Sequence, residues 1–178
     1  MLVWPDETLE LEETVMRADP TASQTQALDG LGAFQTGHIG LNVSDLDRSR
    51  EFYQRVFGLK VDHGSDQDGR RFVFLAKDGV LVLTLWQQAE GRFDAARPGL
   101  HHLSFQVDTV DQVRTAERTL HELGATFAYE GIVPHEEGAD SGGIFFEDPD
   151  GLRLEIFAPT GAAGAPAPVS GAPTCGFF

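Results

Sequence analysis

The stretch HIGLNVSDLDRS, beginning at His38, is answered later in the chain by HLSFQVDTVDQV, beginning at His102. Leu103, Phe105 and Val107 take the places of Ile39, Leu41 and Val43, and an alternation of this kind specifies a strand with one buried face. His38 and Gly40 then share the opposite face of the first copy. Each strand is followed by a helix-start signal, Ser44 with Asp47 in one case and Thr109 with Gln112 in the other. Helical stripes follow (Leu46, Phe52, Tyr53, Val56, Phe57; then Val110, Val113, Ala116, Leu120, Leu123), each closed by a glycine, Gly58 or Gly124. Three further apolar segments complete each copy: Leu59 to Val61, Arg71 to Ala76 and Val80 to Trp86, then Thr126 to Tyr129, Gly143 to Glu147 and Leu152 to Phe157. The repeat predicts two strand-helix-three-strand modules, 37–88 and 99–159, joined by the polar, glycine-bearing stretch that ends in Arg97-Pro98-Gly99. Each has a one-sided sheet that the other module or another chain must cover.

Outside the repeat, residues 1–33 are acidic and weakly patterned, with a possible edge strand at Leu9 and Leu11, and are expected to be a partly ordered extension before a domain at 34–160. Residues 161–178 are rich in Ala, Gly and Pro and read as a flexible tail. The tail ends in Cys175-Gly176-Phe177-Phe178, whose two aromatic rings suggest a docking element for the same chain's pocket, a neighbouring subunit or a partner, with disorder as the alternative. A formal net charge of −15 and only 13 Lys and Arg among 178 residues oppose nucleic-acid or acidic-membrane partners. The acidic start does not look like a signal peptide, no run is long enough to span a bilayer, and one cysteine makes no internal disulfide. The expectation is a cytoplasmic protein whose partner is a small molecule.

The second module ends in IFFEDPDGLRLEIFAP, where the turn Asp148-Pro149-Asp150-Gly151 is clamped between two apolar runs, the mark of a hairpin. Glu155 sits in mid-strand with apolar neighbours, where a lone ionised carboxylate is costly. His38 and His102 stand at matched positions of the repeat, and Glu155 lies on the last strand of the second copy. Two imidazoles and one carboxylate on separate strands are the facial triad of a divalent metal, with Fe(II) the first choice and Mn, Zn, Ni or Co also able to bind. That metal would balance Glu155. His135 and Glu136, in an acidic loop, are the candidate catalytic acid–base residues, and Thr84, Trp86 and Phe157 are expected to line a substrate pocket. His101 falls on the wrong face by parity, and His63 and His121 read as surface residues.

GHIGLNVSDLDRSREFYQRVFGL, LHHLSFQV and FFEDPDGLRLEIFAP together resemble the vicinal oxygen chelate superfamily, the glyoxalase, bleomycin-resistance and extradiol-dioxygenase group. The resemblance implies an α+β fold of tandem βαβββ modules forming a curved, barrel-like mixed sheet, a homodimer, and His38, His102 and Glu155 as metal ligands chelating adjacent substrate oxygens. A fourth ligand common in glyoxalase-type members falls here on Thr84 or Leu83, neither a good donor. Gly40 and Phe145-Phe146 also depart from the transferase and ring-cleaving patterns. The implied activity is a metal-dependent dioxygenase or a lyase/isomerase, dioxygenase-like first. The alternative is a metal-independent protein that binds an antibiotic or another small molecule.

Overall fold

A computed structural model describes residues 33, 35–176 and 178. The acidic extension, its suggested edge strand and Phe177 lie outside the described residues. Contacts divide the chain into two units, Met1–Gln35 and Thr36–Phe178, and the second contains both modules.

Module one runs β1 (Ile39–Val43), α1 (Leu46–Phe57), β2 (Lys60–Ser65), β3 (Phe72–Lys77) and β4 (Val80–Gln87). Module two runs β5 (Leu103–Gln106), α2 (Val110–Glu122), β6 (Val133–Pro134), β7 (Gly142–Glu147) and β8 (Arg153–Ala158). The two sheets have the same order, β1-β4-β3-β2 and β5-β8-β7-β6, with the first strand of each parallel to the last and the other neighbours antiparallel. The α+β arrangement of tandem βαβββ modules is present as expected, each module forming one four-stranded mixed sheet, and among the described residues the two sheets are not joined into a closed barrel. The alternating apolar residues do what their period requires: Leu41, Val43, Leu83, Leu85, Leu154 and Ile156 enter one continuous core with Val113 and Leu120 of α2 and Phe52 and Tyr53 of α1. Each fully buried Leu, Ile or Phe of this set contributes roughly 1.5–3 kcal/mol relative to exposure. The helices therefore lie on the core face of their sheets, and His102, Glu155 and Phe157 stand on the outer face.

Helix α2 starts with the expected capping box, Thr109 accepting from the Gln112 amide and the Gln112 side chain accepting from the Thr109 amide. At α1 the sequence expectation is one residue early. Asp45, not Ser44, is the N-cap, accepting from the Arg48 amide, because the Ser44 hydroxyl is drawn to Asp150 Oδ1 at 2.5 Å. Gly58 closes α1 at φ 64°, a left-handed conformation that only glycine adopts without strain.

The predicted strand at Thr126 to Tyr129 is not a regular strand. The Ala128 amide bonds to the Phe145 carbonyl and the Glu147 amide to the Thr126 carbonyl, with a single bridge between Phe127 and Phe146. The chain then breaks at Gly131, φ 69°, and pairs again only at Val133–Pro134, where proline has no amide to continue the ladder.

The hairpin turn between β7 and β8 locks the modules together. Asp148 accepts from the Asp150 and Leu152 amides and from the hydroxyl of fully buried Tyr53 of α1. Asp150 accepts from the Ser44 amide and hydroxyl and from Arg48. The segment expected to be a flexible tail, 161–178, runs back over module two in its described residues, 161–176 and 178. Asp140 accepts from the Gly161 and Ala163 amides, and Thr174, fully buried, bonds through its hydroxyl to the Pro134 carbonyl and through its amide to the His135 carbonyl. These bonds join positions far apart in sequence, which local composition does not reveal. No helix among the described residues is long and apolar enough to cross a membrane.

Candidate metal centre

The parallel pairing of β5 with β8 sets Ser104 beside Glu155 and Gln106 beside Phe157. His102, immediately before β5, reaches the same outer face. Its Nε2 lies 3.7 Å from Glu155 Oε2. The other carboxylate oxygen, Oε1, is 2.5 Å from His135 Nε2, and His135 Nδ1 is 2.9 Å from the Ser141 hydroxyl. An ionised carboxylate only accepts, so His135 donates from Nε2 to Oε1, and the Ser141 hydroxyl, able both to donate and to accept, bonds Nδ1. The two distances differ in kind. At 2.5 Å the His135 contact is a hydrogen bond; 3.7 Å is too long for one, and is a separation that two donors each about 2.1 Å from a common ion can have.

Glu155 is only 3% exposed although it stands on the outer face, being covered by the loop that carries His135 and by its neighbours. Burial is the main effect holding the His102 imidazole below its ordinary pKa, helped by His101 and Arg153 and opposed by the Glu155 charge. The imidazole is thus favoured in its neutral, metal-ligating form. His101 Nδ1 lies 2.8 Å from His102 Nδ1; when His102 donates in this contact, its Nε2 presents a lone pair toward Glu155. The chemistry and spacing of His102 and Glu155 fit a divalent ion, with His135 steadying the carboxylate.

His38 does not join them within one chain. Among the described residues no group of three or more His, Cys, Asp or Glu is arranged to hold a metal, and His38 is exposed, immediately before β1 in the other sheet. That sheet's outer face carries Thr84, paired with Gly40, and Trp86, paired with Asn42; the Trp86 indole donates to Thr84 Oγ1 at 3.1 Å. Phe72 stacks on Trp86 with centroids 4.9 Å apart, and Phe74 and His63 extend the aromatic surface. His63, expected as a plain surface residue, is exposed but part of this surface. His121 is exposed and stacks on Phe127. Phe157 packs edge-on against His135, centroids 4.9 Å apart. Glu136 is exposed, at the turn closed by the Ala139 amide on its carbonyl.

Residues 35–156 match the model of the Glyoxalase/Bleomycin resistance protein/Dioxygenase superfamily. The chain is a member of that superfamily. Among its glyoxalase-superfamily relatives is the metallothiol transferase FosB of Bacillus licheniformis, 31% identical over 124 residues, covering 67% of this chain and 71% of that protein. Another is a probable trivalent organoarsenical cleaving enzyme of Bacillus subtilis, 28% identical over 120 residues, covering 67% and 77%. A glyoxalase/bleomycin resistance/dioxygenase domain from Frankia superposes with a TM-score of 0.59 at 27% identity, covering 71% of this chain and 92% of that one.

Within the superfamily fold the register locates the module-one counterpart of Glu155. Glu155 pairs with Ser104, two residues after His102; Thr84 pairs with Gly40, two residues after His38. Thr84, not Leu83, is the structural match, and Leu83 is buried in the core. Two cavities, of about 300 and about 320 Å³, lie instead against the turn at Asp148. Arg92 and Asp148 line both, Arg48 the first and Asp150 the second, so they border the intermodule lock rather than His102 and Glu155.

Proposed function

We propose that the protein is a divalent-metal-dependent enzyme acting on a small oxygen-bearing substrate, with the ion held by His102 and Glu155 of one chain and His38 of a second copy in a homodimer. The observation that carries this reading is the unequal treatment of the Glu155 oxygens: one is bound by His135, and the other faces the His102 imidazole at 3.7 Å, beyond hydrogen-bond reach. His38 holds the matching position in module one, and the poor donor Thr84 leaves the centre with three protein ligands. Such a triad suits Fe(II) first, with Mn, Zn, Ni or Co also possible. When bound, the ion supplies Lewis acidity to adjacent substrate oxygens and, as Fe(II), access to dioxygen chemistry.

The chain's own groups do the rest. His135 and Ser141 fix the carboxylate, so His135 is a positioning residue rather than a free base. Phe157 and Phe145 exclude water from that side, Ser104 and Gln106 offer exposed hydrogen-bonding groups, and Arg153 supplies positive charge on the same face. Oxygen-dependent turnover is the favoured reaction class. The names of the two bacterial relatives favour a second, redox-neutral reading, in which the centre handles thiol or organoarsenical substrates.

Elemental analysis of protein purified without added metal should find close to one ion per chain, with His38→Ala, His102→Ala and Glu155→Gln all losing it. A fully loaded, active His102→Ala protein would end the proposal. Dioxygen uptake during an anaerobic-to-aerobic reconstitution series with Fe(II) and catechols, against thiol adducts under argon, separates the two reaction classes. Chelator-insensitive binding of planar aromatic ligands by metal-free protein would instead support a metal-independent binding role.

A further inference from the structure

The tail that returns over module two ends on the proposed centre. The Phe178 ring lies edge-on to His102 with centroids 5.5 Å apart, to Phe145 at 4.8 Å and to His101 at 6.4 Å. The Arg153 guanidinium sits over it, 5.7 Å from the ring centre, within cation–π reach. Phe145 is the cross-strand partner of Glu155, so the ring lies against the strand pair that carries the carboxylate. The Thr174 bonds to Pro134 and His135 and the single-turn helix Thr174–Gly176 hold the segment on approach. Phe145 itself is fully buried, enclosed by Tyr129, His135 and Phe178.

We propose that Phe178 is a built-in occupant of an aromatic subsite beside the metal-binding face, where it shields His102 and must be displaced before a substrate ring can enter. The proposal rests on the function proposed above only for what the substrate does there; the shielding is independent of it. The environment specifies the ligand class. Two imidazoles and Phe145, all steeply inclined to it, and a guanidinium over its face surround one uncharged ring, a set that favours an aromatic ring over an aliphatic group. Displacement is a local event, because a single ring and one short helical turn leave while Asp140 keeps the start of the tail in place.

The test is diethyl pyrocarbonate footprinting of the chelator-stripped full chain, with His102 modification read by peptide mass spectrometry and exposed His63 of module one as internal reference. Phe178→Ala should raise the His102 rate several-fold relative to His63, Phe178→Tyr should keep the wild-type rate, and Thr174→Val should raise it with the ring still present. In Phe178→Ala, excess N-acetylphenylalaninamide should restore protection and N-acetylalaninamide should not. Equal His102 rates in wild type and Phe178→Ala would overturn the shielding, and equal effects of the two amides would overturn the aromatic subsite. Because metal is removed beforehand, these results stand apart from the metal analysis, whose failure would leave the footprint unchanged.

Discussion

Asp148 shows how much one side chain can carry in this fold. Burial pushes its carboxyl above the ordinary range, against the opposing pull of the Leu152 amide, the Tyr53 hydroxyl and the Asp150 amide. Between the ordinary carboxyl value, near pH 4, and the raised value, the unfolded chain has lost a proton that the folded chain keeps. This group's contribution to stability therefore falls as pH rises through that window. Asp148→Asn can keep the accepting oxygen for both amides and donate to Tyr53, so it should remove that part of the pH dependence with little loss at neutral pH. Asp148→Ala strands three buried donors, at roughly 1–3 kcal/mol each. Urea midpoints from pH 4 to 8 will decide: an unchanged slope in Asp148→Asn would show that another group sets it. Residues of this kind divide by how visible they are in the sequence. Glu155 was legible because a strand carboxylate between apolar neighbours demands a partner, and His102 because the repeat gives it a twin. The Ser141–His135–Glu155 relay was not, since it joins an acidic loop to a strand through a fold no local pattern records. Thr84 and Leu83 were indistinguishable until strand pairing set the register.

At the scale of the element, α1 holds a polar atom with nothing to bond. Ser49 is fully buried, and its hydroxyl has no hydrogen-bond partner among the described residues. Ser49→Ala removes a desolvation cost and improves helix propensity, and should stabilise the protein by about 1 kcal/mol. That corresponds to a thermal midpoint ~2–4 °C higher for a chain of this size, measurable by calorimetry; a lower midpoint would reveal a partner for the hydroxyl. The helices and the long strands were readable because their periods of about 3.6 and 2 extend over whole segments. The pairing of residues 126–134 with β7 was not, because Gly131 and Pro134 divide it into a bridge and a two-residue strand. The N-cap of α1 moved by one position for a tertiary reason: Ser44 serves Asp150 in the other module, leaving Asp45 to cap.

For the whole molecule, the proposed centre is half present in each chain, His102 and Glu155 on one sheet and His38 on the other. A cyclic dimer with exchanged halves makes a quantitative prediction. Copies carrying His38→Ala mixed with copies carrying Glu155→Gln should regain metal, because each mixed dimer rebuilds one intact site. With random pairing the mixture should hold about a quarter of the wild-type metal per chain, while either variant alone holds none. A mixture as empty as its components would place all three ligands in one chain or refute the centre.

The two oxygens of Glu155 also fix how generous the carboxylate can be. With Oε1 engaged by His135, an ion at the proposed centre would meet the carboxylate chiefly through Oε2, which would favour monodentate donation. With His38, His102 and Glu155 as its protein donors, the proposed ion would keep room for a chelating pair of substrate oxygens. Loss of the imidazole in His135→Ala would free the second oxygen to compete for that room, so this distant-looking loop residue would govern how many reactants the proposed centre could seat together.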